Sequence, residues 1–278
     1  MTPIAINTYS FIWRFSAREC LEHLAEKGHR AFEILVNPPH LWPGKLDAAQ
    51  RKEMAEFCEK RELSILSLNP PSLDLNLVSP AREMRSYSIA HYRDVIELAG
   101  QWRAPWVVVC PGKTHPLLPA PREQVEAWFG EALEHLGAEA GKAGVELLLE
   151  NIPMAFLPLA DDLMDFLAGF GNDAIGIVYD VANAVFAGEA PQQGLYRVRD
   201  RLRLVHLSDT GLERWEHSPP GSGVVPFREV AETLREMRYS NPCVLEVISD
   251  DPDEDLPASL DFLSECPWEK DSGQPGGG

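Results

Sequence analysis

Val145-Glu146-Leu147-Leu148-Leu149-Glu150-Asn151 is a short apolar run that ends in a carboxylate just before a loop. Runs of this length, bounded by turn residues and separated by helical patterns, read as buried parallel strands. The arrangement recurs three times. Asp180 follows Ile175-Gly176-Ile177-Val178-Tyr179, His206 follows Leu202-Arg203-Leu204-Val205, and Glu246 follows Cys243-Val244-Leu245. In a closed parallel barrel the carboxyl ends of all strands converge on one mouth, where the active sites of such barrels sit. Three carboxylates and one imidazole meeting there need a cation between them, and with one they form a divalent-metal site. Mostly oxygen ligands with a single imidazole suit Mn²⁺, Mg²⁺ or Co²⁺, and are compatible with Zn²⁺.

Outward from these runs, strand-like and helix-like patterns alternate along the chain. Strands are predicted over Ile4–Thr8, Ala31–Val36, Leu63–Leu68, Trp106–Cys110, Val145–Glu150, Ile175–Asp180, Leu202–Leu207 and Cys243–Val247. Amphipathic helices are predicted over Ala17–Lys27, Asp47–Arg61, Ala81–Trp102, Arg122–Ala143, Asp161–Phe170 and Phe227–Met237, with short ones near Gln193–Arg199 and Leu256–Leu263. Eight strand-helix units in this order predict a (β/α)8 barrel of the α/β class. A doubly wound open sheet is the competing architecture, but no strand is followed by a G-x-G-x-x-G turn or a P-loop. One barrel domain over residues 1–268 is expected, with 269–278 an apolar-poor, disordered tail. Three long loops follow strands: one begins at Asn69-Pro70-Pro71-Ser72, one spans Pro111 to Pro116, and one runs from Ser208 to Val225. Long ordered loops of this kind tend to form site walls.

Composition narrows the function. With 43 acidic against 25 basic residues the formal charge is -18, which argues against a nucleic-acid partner. No apolar stretch approaches the length of a membrane span, and the start lacks the pattern of a signal peptide. Five scattered cysteines without a CxxC indicate reduced thiols and a cytoplasmic location. A homo-oligomer remains open.

These residues resemble the xylose-isomerase-like TIM barrels, also called the sugar phosphate isomerase/epimerase superfamily, over the chain up to about Trp268. The Glu-Asn end of the fifth strand at Glu150-Asn151 carries the resemblance, as do His206-Leu207-Ser208-Asp209, the turn at Gly221-Ser222-Gly223, and Leu245-Glu246. The resemblance implies that Glu150, Asp180, His206 and Glu246 bind one divalent ion, and that Glu150 and Glu246 flank a bound sugar as acid and base. The expected function is a metal-dependent isomerase or epimerase of a small sugar or polyol-derived hydroxy ketone, working by proton transfer through a metal-stabilised enediolate. A dehydratase or lyase on a related keto-polyol, or a non-catalytic sugar-binding barrel, are the alternatives. The family's phosphate label has no counterpart here, since the sequence shows no phosphate cradle.

The chain departs from the family pattern at several positions. Asn183 stands where Asp-x-x-His is usual after Asp180, and an amide cannot carry a proton near neutral pH. Phe156 and Leu212 replace a glutamate and an arginine of the free-ketose 3-epimerases, which disfavours that activity. Asn69, Cys110 and Asn183 stand where the family's AP endonucleases place extra zinc ligands, which disfavours DNA repair. Around the mouth, Asn183, His217, Lys113, Asn69 and Trp13 are candidate substrate contacts for a small carbohydrate-like substrate. Glu33 and Asn7 are strand-end polar residues that could hydrogen-bond there, and Phe11 and Phe156 are aromatics whose default is core packing. Cys110 reads as a small buried hydrophobe. His91 and His115 read as helix-surface and loop residues.

Overall fold

Each apolar run forms a strand, and the strands pair in chain order. The computed structural model describes residues 4–71 and 74–268. The tail expected at 269–278 lies outside them. Among the described residues, β1 (Ile4–Asn7), β2 (Ala31–Leu35), β3 (Ser64–Asn69), β4 (Trp106–Val109), β5 (Glu146–Glu150), β6 (Ile175–Asp180), β7 (Leu202–Leu207) and β8 (Cys243–Leu245) form a closed parallel barrel. β8 pairs back onto β1, with Ile4 opposite Cys243 and Ile6 opposite Leu245. This is the (β/α)8 TIM barrel that the alternation predicts.

Alternate residues of a strand face opposite sides, so the strands divide their side chains between two cores. Two residues before Glu150, Asp180, His206 and Glu246 stand Leu148, Val178, Leu204 and Val244. With Ala5 and Val108 these form a separate, fully buried cluster inside the barrel. The alternate set, including Leu147, Leu149, Ile177, Val205 and Leu245, packs outward against the helices in the larger core. Below the inner apolar layer is a polar one. Glu146 pairs with Arg203 Nε at 2.9 Å and accepts from Trp106 Nε1 at 3.2 Å. Gly176 sits at that level, where a Cβ would fall 2.7 Å from Leu148 and 2.8 Å from Arg203. A strand glycine here marks a close approach that leaves no room for a side chain.

The outer ring contains α1 (Ala17–Glu26), α2 (Ala48–Arg61), α3 (Arg82–Gln101), α4 (Arg122–Ala143), α5 (Ala160–Phe170), α6 (Val181–Phe186), α7 (Pro191–Val198), α8 (Phe227–Glu236) and α9 (Pro252–Ser264). Ser16 and Asp47 start α1 and α2 with reciprocal capping boxes. Two elements differ from the sequence reading. α6 begins at once after Asp180, because the Asp180 side chain caps it by accepting from Asn183 N at 2.7 Å. α9 starts at Pro252, four residues before the predicted Leu256. Pro at the first helical turn and the acidic run Asp253, Glu254, Asp255 resemble a loop but suit a helix N-terminus.

Candidate metal centre and cavity

Barrel closure brings four ionisable side chains together at its mouth. Asp180 pairs with His206 across β6 and β7, and Glu246 N donates to Leu207 O at 3.0 Å just past the end of β8. His206 Nδ1 lies 3.1 Å from Glu246 Oε2, 3.2 Å from Glu150 Oε1 and 3.9 Å from Asp180 Oδ2. One ligand atom from each of Glu150, Asp180, His206 and Glu246 belongs to a group whose members all lie within 4.8 Å of one another, and all four residues are buried.

The chemistry of this group fits a divalent cation. Asp180 Oδ1 is occupied by the Asn183 amide, whereas its Oδ2 is buried and has no hydrogen-bond partner. A buried, unpartnered carboxylate oxygen is costly unless a cation meets it. Three carboxylates and a dication leave one net negative charge, which a neutral hydroxy ketone tolerates.

Electrostatics in the protein itself are strongly perturbed. Burial, reinforced by the charges of Glu246 and Glu33, raises the Glu150 carboxyl above its ordinary value, although the His206 ring opposes this. Burial likewise raises Asp180. Burial opposes charge on His206, but the carboxylates of Glu33 and Glu246 outweigh it and hold the imidazole well above its usual range. Glu33 behaves in the opposite way to Glu150. Burial disfavours its charge, yet His206 together with bonds from Ser67 and Asn69 outweighs that and lowers its pKa.

Glu33 is fully buried, and four side chains converge on its carboxylate. Asn7 Nδ2 donates to Oε1 at 2.6 Å, Asn69 Nδ2 to Oε1 at 3.2 Å and Ser67 Oγ to Oε2 at 2.6 Å. His206 Nε2 lies 3.2 Å from Oε1 and 3.3 Å from Oε2. The same two amides also reach Glu246 Oε1, Asn7 at 3.0 Å and Asn69 at 3.3 Å.

Above the ligands opens a cavity of about 330 Å³, and Glu150, Glu246, Asn69, Asn183 and His217 contribute to its lining. His217 Nδ1 stands 3.5 Å from Glu246 Oε2 and 3.7 Å from Asp180 Oδ2, and it shares a hydrogen bond with Ser208 Oγ at 3.1 Å. Asn183 Oδ1 accepts from Trp215 Nε1 at 2.7 Å. Two expected contacts fall elsewhere. Trp13 is 77% exposed and outside the cavity lining. Lys113 is exposed on the β4–α4 loop, where its backbone exchanges hydrogen bonds with the Asn76 side chain. Both sit in loops, where strand periodicity no longer directs a side chain. Phe156 packs edge-on against Phe129 and Phe166, and Phe11 is buried, so both are core residues. His91, read as a helix-surface residue, is instead buried and stacked on Trp42 at 4.1 Å.

Several wall residues went unread in the sequence, although a signal for them existed. Tyr9, Leu35, Pro71, Ile152 and Ile248 all line the cavity, and each lies two positions beyond an inward polar residue: Asn7, Glu33, Asn69, Glu150 and Glu246. The period-2 rule thus extends one step past the strands. Burial and the charges of Glu246, Cys110 and Glu150 push the Tyr9 phenol up to about 12, so it faces the cavity protonated. The rest of the wall comes from Cys110, just past the end of β4, and from the loop after β7, which Asp209 organises. Its carboxylate accepts from the backbone N–H groups of Thr210, Gly221, Gly223 and Val225, each at 2.9 Å. Gly223 permits this, since a Cβ there would lie 2.4 Å from Thr210 O and 2.5 Å from Asp209 Oδ1. The bond from Trp215 to Asn183 and one from Ile248 N to His217 O at 2.7 Å tie the loop across the mouth.

The fold is shared with known proteins. An uncharacterised protein of Methanocaldococcus jannaschii is 26% identical over 238 residues, covering 83% of this chain and 79% of its own. Fructoselysine 3-epimerase of Escherichia coli O157:H7 is 20% identical over 241 residues, covering 85% of this chain and 87% of its own. The solved structure of 3-keto-D-glucoside 4-epimerase from E. coli superposes with a TM-score of 0.79 at 21% identity, over 96% of this chain and 100% of that one, a likeness that speaks to the fold. The family model described as xylose isomerase-like TIM barrel matches residues 21–266, and the chain belongs to that family.

Proposed function

We propose that this protein is a divalent-metal-dependent isomerase or epimerase of a small sugar or polyol-derived hydroxy ketone. The observation that carries the reading is the buried group of Glu150, Asp180, His206 and Glu246 at the floor of an open cavity, with the Asp180 Oδ2 oxygen lacking a hydrogen-bond partner. Mn²⁺, Mg²⁺ and Co²⁺ suit this donor set best, and Zn²⁺ is compatible with it. When bound, the ion supplies Lewis-acid polarisation of a carbonyl and stabilises the negative charge that proton removal leaves.

The residues divide the remaining work. No described residue donates to Glu150 Oε2, which leaves it an oxygen able to take a proton, so it serves as the base. Glu246 Oε1 is held by Asn7 and Asn69, and it stands just past the end of β8, three strands round the barrel from Glu150. Glu150 removes a carbon-bound proton and Glu246 returns one from the other side of the bound substrate. His217 and Asn183 orient hydroxyl or carbonyl oxygens, and the tethered Trp215 shields the reacting carbons from water. Relatives that act as sugar epimerases by name support the substrate class.

The test is carbon-proton exchange in D₂O with a panel of ketoses and saturating Mn²⁺. The protein should wash deuterium into its substrate, and Glu150→Gln and Glu246→Gln should each lose at least about 10²-fold in rate. Near-normal exchange by both variants would refute the proton-transfer roles. Loss of a β-hydroxyl from the product would assign a dehydratase, and a melting shift without exchange would assign a binding barrel.

A further inference from the structure

We infer that Glu33 is the positioning residue of the metal centre: it fixes the proton of His206 on Nε2 and, through Asn7 and Asn69, aims Glu246 at the ion. The inference rests on the metal-centre reading above. Glu33 lies on β2, outside the set of four, and its carboxylate is fully enclosed.

An ionised carboxylate only accepts hydrogen bonds. Three donors already fill the rest of its surface: Asn7 at 2.6 Å, Ser67 at 2.6 Å and Asn69 at 3.2 Å. Glu33 therefore offers His206 Nε2 an acceptor and nothing else. A neutral imidazole has one N–H and one lone pair, and the partner of one nitrogen decides which atom carries which. With the N–H held on Nε2, the lone pair falls on Nδ1, the atom that faces Glu150, Glu246 and Asp180. A metal ligand needs that lone pair, and a carboxylate behind the ring also makes it a stronger donor.

The second arm of the device runs through the amides. Asn7 and Asn69 each donate to Glu33 Oε1 and also lie within hydrogen-bonding distance of Glu246 Oε1. This occupies Glu246 Oε1 and leaves its Oε2, 3.1 Å from His206 Nδ1, directed at the centre. Glu33 thus sets the orientation of two ligands without touching the ion or the cavity.

Glu33→Gln isolates the effect. Asn7 and Asn69 both donate at the Oε1 position and hold the new amide oxygen there, so the NH₂ takes the Oε2 position, 3.3 Å from His206 Nε2. A neutral carbonyl oxygen replaces the carboxylate as the acceptor 3.2 Å from Nε2 and an NH₂ stands beside it, so the hold on the Nε2 proton weakens and the proton shifts towards Nδ1, in the metal seat. Mn²⁺ affinity, measured by chelator competition on folded protein, should fall about 10- to 100-fold. ¹⁵N-histidine spectra provide a readout that mere loosening would not move. Zn²⁺-loaded wild type should show the His206 ring proton on Nε2, and ion-free Glu33→Gln at alkaline pH should show it shifted to Nδ1. Equal Mn²⁺ affinity in the two proteins would overturn the inference while leaving the metal centre intact. Failure of the wild type to bind any divalent ion would instead take down the metal-centre reading and this inference with it. If the variant does not fold, Glu33→Asp, which keeps the charge and draws the acceptor back by one methylene, replaces it: lower Mn²⁺ affinity is expected, and equal affinity would overturn the inference.

Discussion

Stripping divalent ions and titrating Mn²⁺ back should raise the melting temperature by an amount that grows with pH. In the ion-free protein, burial raises Glu150 and Asp180 above their ordinary values of 4.5 and 3.8. His206 is also raised from 6.5, since Glu33 and Glu246 outweigh the burial that opposes its charge. All three groups hold more protons folded than unfolded, so each makes ion-free stability fall as pH rises from the ordinary value through the raised one. For His206 the stabilising contribution is fully present below 6.5 and disappears as pH passes its folded value. Glu33 has the opposite sign: its lowered pKa gives stability present above 4.5 and lost only as pH falls through the folded value. It therefore acts at the acid end and does not mask the trend near neutrality.

Metal binding expels the same protons, so affinity rises with pH by about tenfold per unit for each proton released. At a free ion concentration 100 times Kd the stabilisation is about 2.7 kcal/mol. Unfolding entropy near 2.1 cal/mol/K per residue gives about 0.6 kcal/mol/K for a chain of 278 residues. The melting shift is then about 5 °C. Scanning calorimetry from about pH 5.5 to about pH 8 measures it, and titration calorimetry in two buffers of different ionisation enthalpy counts the protons. Asp180→Asn is the control: it removes a buried charge with an unpartnered oxygen, so ion-free stability should hold or rise while the Mn²⁺ response disappears. A shift that is absent, the same at both ends of the pH range, or preserved in Asp180→Asn would refute the reasoning.

Two further outcomes concern the loop after β7. Trp215→Phe keeps the ring but strips the donor from Asn183 Oδ1, leaving a buried acceptor unpaired at about 1–3 kcal/mol. The expected result is a KM raised about tenfold or more with metal affinity unchanged, and a kcat loss with constant KM would contradict it. Asp209→Asn offers one carbonyl oxygen where the carboxylate serves four N–H groups, so at least about 2 kcal/mol should be lost. Limited proteolysis within 211–224 should accelerate, and unchanged cleavage would show that the loop is held by other contacts.

The sequence made the barrel legible because strand ends are marked twice, by an apolar run and by the ionisable residue that stops it. Register then did what no single motif could. Glu150, Asp180, His206 and Glu246 are separated by up to 96 positions, yet each is the inward residue where its strand ends, and barrel closure brings their ligand atoms within 4.8 Å. α6 was invisible because Val181-Ala182-Asn183-Ala184-Val185-Phe186 is nearly all apolar and shows no polar face. Its start depends on an aspartate already assigned to the site. Lys113 and Trp13 lie outside the cavity lining for a related reason: a residue in a loop has no fixed direction, so nearness in sequence to a strand end says little about nearness to the ligand group.

Residues that support the ligands were legible in kind but not in role. Glu33, Asn7 and Asn69 stand at strand ends as plainly as Glu150 does, and polarity alone cannot rank an ion-binding carboxylate against one that holds a histidine. Hydrogen-bond counting separates them. Glu33 is saturated by Asn7, Asn69, Ser67 and His206, whereas Asp180 keeps a bare buried oxygen and Glu150 an oxygen that nothing described donates to. A carboxylate with all its lone pairs committed is a positioning group, and one with a lone pair left over in the interior is a ligand or a base. By that criterion β2 supplies the support, β5 and β6 supply the reactive oxygens, and β8 supplies a glutamate with one oxygen in each role.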